Sequence, residues 1–327
     1  MQPFVPLFAN PHVETVAGHF WPRPSGTRRF PVEKKLYRTA PDVQVLVEVQ
    51  RPAGAPRGHL LLVHGLEGSA HAGYMRSMAA CAVDAGYAVH RLNLRTCGGT
   101  EHLATTVYHG GLTGDLLAVL RALAGEGAPL WLVGFSLGGN LVAKLAGELG
   151  EDARPLLTGV VAASAAIDLG ACALRIGQPD NRPYELRFLM LMRARARAVW
   201  HSTPADLRGI RSVVEMDDRI TAPQNGFTGA QHYYRTQSAN QFLERIRVPT
   251  LFIAAKDDTF IPFRIYDHPA FRQNPCLQLH ATEHGGHLGF LAKGRPRLWL
   301  DHAIMEWIRA PETKQRGTKH PQVSSGY

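Results

Sequence analysis

A short stretch near the middle of the chain, Gly134-Phe135-Ser136-Leu137-Gly138-Gly139-Asn140, limits the architecture around it more than any other. It follows an apolar run (Leu130, Trp131, Leu132, Val133) and precedes an amphipathic one (Leu141, Val142, Leu145, Leu149), so the pattern predicts a strand, a sharp elbow and a helix. A serine in such an elbow is held in a strained conformation with its hydroxyl pushed out of the sheet. Small neighbours, here Gly134 and Gly138, let the strand and helix backbones pass closely. The start of the helix offers unsatisfied N–H groups and a partial positive charge, the surroundings that a developing oxyanion needs. Ser136 is therefore the candidate nucleophile. A glycine-rich turn that only caps a helix is the plainer alternative, and the strand and helix on either side disfavour it.

The rest of the chain supplies layers for this elbow. Alternating Val43, Val45, Val47 and Val49 predict a half-exposed strand at an antiparallel edge, followed by a turn at Pro52 to Pro56. Further strands are predicted at His59 to Val63, Ala88 to Asn93, Leu130 to Phe135, Thr158 to Ala163, Thr250 to Ala255 and Cys276 to His280. Helices at Tyr74 to Ala85, Thr113 to Ala124 and Leu298 to Ile308 alternate with them, which places the chain in the α/β class with a mostly parallel sheet covered on both faces. A chain of 327 residues can bury a large core, as one big domain or as a core with an inserted subdomain. Residues 1–40 are rich in proline and aromatics, lack a sustained period, and read as a lead-in draped over the core.

The strands stop between Leu169 and Arg247, where several helical stretches predict an inserted cap above the carboxyl edge of the sheet. Within it Tyr184 to Arg197 reads as an arginine-studded helix. Guanidinium groups suit phosphate, and its Phe, Leu and Met suit acyl chains, so the helix admits a peripheral membrane contact; a solvated basic face is the other reading. After Ala310 the chain turns polar and aperiodic, and residues 311–327 read as a loose tail.

Composition mainly excludes. The net charge of +9 favours anionic partners in general, yet no zinc-finger spacing or basic run with interleaved aromatics points to nucleic acid. The four cysteines lack C-x-x-C spacing and read as reduced thiols rather than a disulfide framework or a metal cluster. The first residues, Met1-Gln2-Pro3-Phe4-Val5-Pro6, lack the features of a signal peptide. The most apolar long window, Leu156 to Leu174, contains Asp168 and much Ala and Gly, and reads as a buried strand plus a loop rather than a membrane span. The expectation is a soluble cytoplasmic protein without a cofactor.

A serine hydroxyl needs a histidine base, and the imidazole needs an acid to fix its tautomer. After the next-to-last strand, Lys256-Asp257-Asp258-Thr259 offers two carboxylates, of which Asp258 is the better placed and Asp257 reads as a turn or helix cap. After the last strand, Glu283-His284-Gly285-Gly286-His287-Leu288-Gly289 sets His287 in a glycine loop free to reach the elbow. The order Ser, Asp, His is the one this kind of fold uses. Asp168 could serve the same histidine from the other side, and His280, His284 and His287 invite a zinc reading that lacks H-E-x-x-H spacing. Backbone N–H groups of Leu66 and Leu137 are the candidate oxyanion donors.

With these residues in place the chain resembles the α/β-hydrolase superfamily, and within it the YheT-like group with the ABHD-type lipid hydrolases of eukaryotes. The resemblance rests on Asn10-Pro11-His12, His64-Gly65-Leu66-Glu67-Gly68-Ser69, Asn93-Leu94-Arg95-Thr96-Cys97-Gly98-Gly99, Tyr108-His109-Gly110-Gly111 and Gly285-Gly286-His287-Leu288-Gly289-Phe290. It implies residues 41–168 and 248–310 as an α/β-hydrolase core, residues 169–247 as its cap, and Ser136, Asp258 and His287 as the charge-relay positions. Thr96 stands where the family usually has glycine. The expected activity is cleavage of a small-molecule acyl ester, lipid or phospholipid among them, through an acyl-enzyme. Transfer of the acyl group to an alcohol, or ligand binding without turnover, are the alternatives. Phe188 to Met192 and Trp200 are expected to line an acyl pocket, and Arg193 and Arg197 to read an anionic head group.

Overall fold

The computed structural model describes residues 1–24, 26, 29–200 and 206–317, with side chains described as far as Ala310. Eight strands form one sheet: β1 Glu33–Ala40, β2 Val43–Gln50, β3 His59–Val63, β4 Ala88–Leu92, β5 Leu130–Phe135, β6 Gly159–Ala163, β7 Thr250–Ala255 and β8 Leu277–Thr282. Their spatial order is β1-β2-β4-β3-β5-β6-β7-β8. The β1/β2 and β2/β4 pairs are antiparallel, and every pair from β4 through β3 to β8 is parallel. The principal helices are α1 Pro11–Phe20, α2 Gly73–Asp84, α3 Thr113–Ala124, α4 Leu137–Leu149, α5 Leu169–Ile176, α6 Arg182–Trp200, α7 Ala230–Gln237 and α8 Trp299–Gly317.

Side chains alternate across each strand, so the apolar residues of the parallel strands feed two cores. Leu130 and Leu132 of β5 join Leu116 and Leu120 of α3 and Leu141 and Leu145 of α4 on one face. Trp131, Val133 and Phe135 join Met75 and Met78 of α2 and Ile304 and Ile308 of α8 on the other. The helical insertion between β6 and β7 is continuous with the first core: Leu189, Met192 and Ala196 of α6 belong to the same buried cluster as α3 and α4.

Two elements escape the sequence pattern. Residues 11–20, placed in the lead-in, form α1: Asn10 accepts from the His12 and Val13 N–H groups, and Pro11 occupies the first turn, where its missing N–H costs nothing. The buried face of α1 is Glu14, Thr15 and Gly18, so there is no apolar period to detect. Strand β1 lies in the same segment, at the sheet edge with Leu36 exposed, and its sequence too lacks an apolar alternation. Other boundaries move by a residue or two, as for β8. The closing helix runs on to Gly317, into the stretch expected to be tail, and residues 318–327 lie outside the described residues.

Candidate active site

The turn from β5 into α4 places Ser136 at φ +55°, ψ −118°. Such a conformation costs a side-chain-bearing residue about 1–3 kcal/mol and persists only where the surroundings enforce it. They do so through backbone contact. A Cβ on Gly134 would lie 2.2 Å from the Gly138 carbonyl oxygen, and one on Gly138 would lie 2.4 Å from that of Val63. Strand, elbow and helix therefore close only with glycine at both positions. The Ser136 N–H donates to Ala163 on β6 (2.9 Å), which fixes the elbow to the next strand.

The loops after β7 and β8 bring the other two candidates to this hydroxyl. His287 Nε2 lies 3.0 Å from Ser136 Oγ, and His287 Nδ1 lies 3.0 Å from each carboxylate oxygen of Asp258. The Asp258 side chain is 2% exposed, and its Oδ1 also accepts the Phe260 and Ile261 N–H groups, so the carboxylate is held from two sides. The neighbouring Asp257 points elsewhere: it accepts the Gly286 N–H (3.0 Å) and meets His284 Nδ1 (3.0 Å), which shapes the histidine loop without touching His287. Asp168 caps α5 by accepting the Ala171 N–H. His280 stacks on Trp299, so the three histidines that invited a zinc reading have separate partners.

Sequence reasoning missed the support beneath His287. Its backbone N–H donates to Thr15 Oγ1 (2.8 Å) on α1, whose hydroxyl in turn donates to the Pro11 carbonyl (2.7 Å). A Cβ on Gly289 would lie 2.6 Å from the Glu14 carbonyl oxygen, so α1 sits directly on the loop. Glu14 accepts the Leu291 N–H there, and burial pushes its carboxyl up to about 7. The Asn10-Pro11-His12 cap was the one signal in the sequence that a helix started here.

The two candidate oxyanion donors flank Ser136. Leu137 is the first residue of α4, with an N–H that the helix itself cannot use. Leu66 follows Gly65, and among the described residues its N–H has no acceptor. The orientation of that peptide is set by His64, which is fully buried: Nδ1–H donates to the Gly65 carbonyl (2.8 Å), and Nε2 accepts the Leu94 N–H (3.1 Å). Burial lowers the His64 pKa to about 4, which keeps the ring neutral with one donor and one acceptor. The Gly68 N–H shares the same carbonyl (3.0 Å). Because C=O and N–H point in opposite directions across a trans peptide, pinning the Gly65 oxygen also aims the Leu66 N–H.

Two cavities meet at Ser136. One runs under the helical insertion among Leu137, Leu169, Ile176, Met192, Trp200 and Met216. The other lies between α1 and α6 and carries His287, Val16, Tyr184 and Arg187. Of the arginines expected to read a head group, Arg193 donates to the Ile210 carbonyl and Arg197 is exposed; neither lines these cavities. Arg195 and Arg187 do, because they lie on the turns of α6 that face inward and toward the cavity mouth. Among the described residues no helix is long and apolar enough to cross a membrane.

Comparison with known proteins agrees with this architecture. A family model described as "Alpha/beta hydrolase family" matches residues 60–299. The YheT protein of Escherichia coli is 33% identical over 319 residues, 93% of this chain and 92% of its own. Phospholipase ABHD3 of Mus musculus is 27% identical over 311 residues, 88% of this chain and 74% of its own. Among solved structures, an esterase of Pyrococcus furiosus superposes with a TM-score of 0.58 at 15% identity, covering 95% of this chain and 99% of that one, a likeness of fold alone. The match spans the sheet from β3 to the start of α8, elbow and both loops included, and the chain belongs to the alpha/beta hydrolase family.

Proposed function

We propose that this protein is a serine hydrolase that cleaves carboxylic esters through an acyl-enzyme. The observation that carries the reading is the unbroken line from Asp258 through His287 to Ser136, with 3.0 Å at each step, at the junction of two cavities. In this reading His287 Nε2 takes the Ser136 proton as Oγ attacks the ester carbonyl, and the oxygen that becomes negative is met by the Leu66 and Leu137 N–H groups. The tetrahedral intermediate collapses with the C–O bond to the alcohol breaking, and His287 returns the proton to the departing oxygen. Water, deprotonated by the same nitrogen, then attacks the acyl-enzyme and releases the acid. Asp258 keeps the proton on Nδ1 and stabilises the imidazolium formed in each half-reaction.

The apolar cavity under the insertion, which we read as the cap of residues 169–247, takes the acyl chain. The cavity between α1 and α6 takes the alcohol, with Arg187 at its edge for a polar or anionic substituent. That the mouse relative is named a phospholipase supports an acyl lipid as the substrate class. Each methylene buried in the acyl cavity contributes up to about 0.8 kcal/mol, so kcat/KM on p-nitrophenyl esters is expected to rise by up to about fourfold per added methylene and then break at the length that fills the cavity. A flat series would remove the acyl assignment. Repeating the reaction with glycerol present separates water from alcohol as the acceptor: free acid as the main product is expected, and mostly glyceryl ester would make the enzyme a transferase.

A further inference from the structure

The wall of the acyl cavity carries a buried ion pair that the reaction sequence above leaves without a role. Arg195, on α6, and Glu67, in the loop after β3, have side chains only 11% and 4% exposed. Arg195 Nη2 lies 2.7 Å from Glu67 Oε2 and Nε lies 3.3 Å from Oε1, a two-point match of planar guanidinium to carboxylate. Nη1 donates to the Thr96 carbonyl in the loop after β4, and the guanidinium stands 5.6 Å over the ring of Tyr108, in the segment before α3. One side chain from the insertion thus reaches three segments at the carboxyl edge of the sheet.

The loops it grips are in conformations that need gripping. Glu67 has φ +53° and Thr96 φ +63°, both in the left-handed region that residues with a Cβ occupy only when held there. Thr96 is the position where glycine was expected, and the bond from Arg195 meets its carbonyl directly. Glu67 follows Leu66 in sequence. Its N–H donates to the Tyr108 hydroxyl (2.8 Å), which donates in turn to Glu67 Oε1 (3.1 Å). Both peptide planes around Leu66 are therefore fixed, the earlier one by His64 and Gly68 at the Gly65 carbonyl, the later one by Tyr108 and Glu67 beneath Arg195. A buried pair of this kind adds little net stability, because desolvation offsets the attraction; what it supplies is position.

We propose that Arg195 is a positioning residue for the oxyanion site: seated on Glu67 and Thr96, it ties α6 to the peptide that follows Leu66 and so braces, from its far side, the residue whose N–H faces the site, which is complete only while α6 is seated over the cavity. The proposal rests on the serine-hydrolase reading, and the two fail differently. Lack of labelling of the wild-type protein at Ser136 by a fluorophosphonate removes the reading, whatever Arg195 does. With the wild type labelled and active, Arg195→Lys keeps the charge but loses the fork and the reach to Thr96. Its kcat on p-nitrophenyl butyrate is expected to fall about tenfold or more, with KM within about threefold, since the loss falls on oxyanion stabilisation and not on substrate binding. The inhibition constant of a trifluoromethyl ketone, whose serine adduct carries the oxyanion, is expected to rise by the factor that kcat/KM falls. Competitive inhibition by butyrate is expected to stay put. Should the lysine variant fail to fold, the double variant Glu67→Gln/Arg195→Met removes both buried charges and is read in the same way. Unchanged kcat and ketone affinity in a folded variant, or equal loss of ketone and butyrate affinity, would overturn the proposal.

Discussion

Ser136→Ala is expected to lower kcat on any ester substrate by at least about ten-thousand-fold, because removing the nucleophile of a triad costs nearly as much as removing the whole triad. The fold is expected to survive. Alanine keeps the Cβ, so the strain at φ +55° is the same in both proteins, and the glycine contacts that enforce the elbow are untouched. Among the described residues, the only hydrogen bond deleted is the one from Oγ to His287 Nε2. A thermal midpoint near that of the wild type together with the lost activity is the expected pair of results. Activity retained within about tenfold in the folded variant would take the nucleophile away from the elbow.

The second large effect separates two adjacent carboxylates. Asp258→Asn is expected to lower kcat by at least about a hundredfold, and Asp257→Asn by less than about tenfold, because loss of a triad acid commonly costs orders of magnitude while a loop contact does not. The asymmetry follows from what each oxygen touches. At position 258 the Phe260 and Ile261 N–H groups hold Oδ1, so the amide nitrogen of asparagine takes the place of Oδ2, and His287 Nδ1, 3.0 Å from both oxygens in the wild type, then meets a donor on one side and an already shared acceptor on the other. That contact favours the tautomer protonated on Nε2, which cannot accept the serine proton. At position 257 an asparagine oxygen still accepts the Gly286 N–H, and the loop keeps its shape. Steady-state rates of the two variants on one ester decide it, and the reverse ranking would transfer the role to Asp257.

Much of this was legible in the sequence because the fold writes itself in apolar strands. β3, β5, β7 and α3 stand at the residues that the pattern predicts, since strands buried on both faces leave unbroken apolar runs and α3 has one strongly apolar face. The elbow was readable for a different reason: its glycines answer to backbone contact, which tolerates no other residue. What stayed hidden depends on partners far away in sequence. α1 buries Glu14, Thr15 and Gly18 against the histidine loop, a polar and small face that periodicity does not register. Asp258 could be preferred over Asp257 from its place in the loop, but what separates them is the turn after β7, which sends their side chains apart. Arg195 was one arginine among several on a basic helix, and only its place on the inward turn of α6 distinguishes it from the exposed Arg197.

If Ser136 is an activated nucleophile, its chemistry can be read without knowing the physiological substrate. Incubation of the folded protein with a fluorophosphonate, followed by peptide mass spectrometry, reports which side chain displaces fluoride from phosphorus. A single adduct is expected on the peptide of the elbow, at Ser136, absent from the Ser136→Ala protein and slowed in Asp258→Asn. An adduct on another residue, or none on the folded wild-type protein, would take the nucleophile's role away from Ser136.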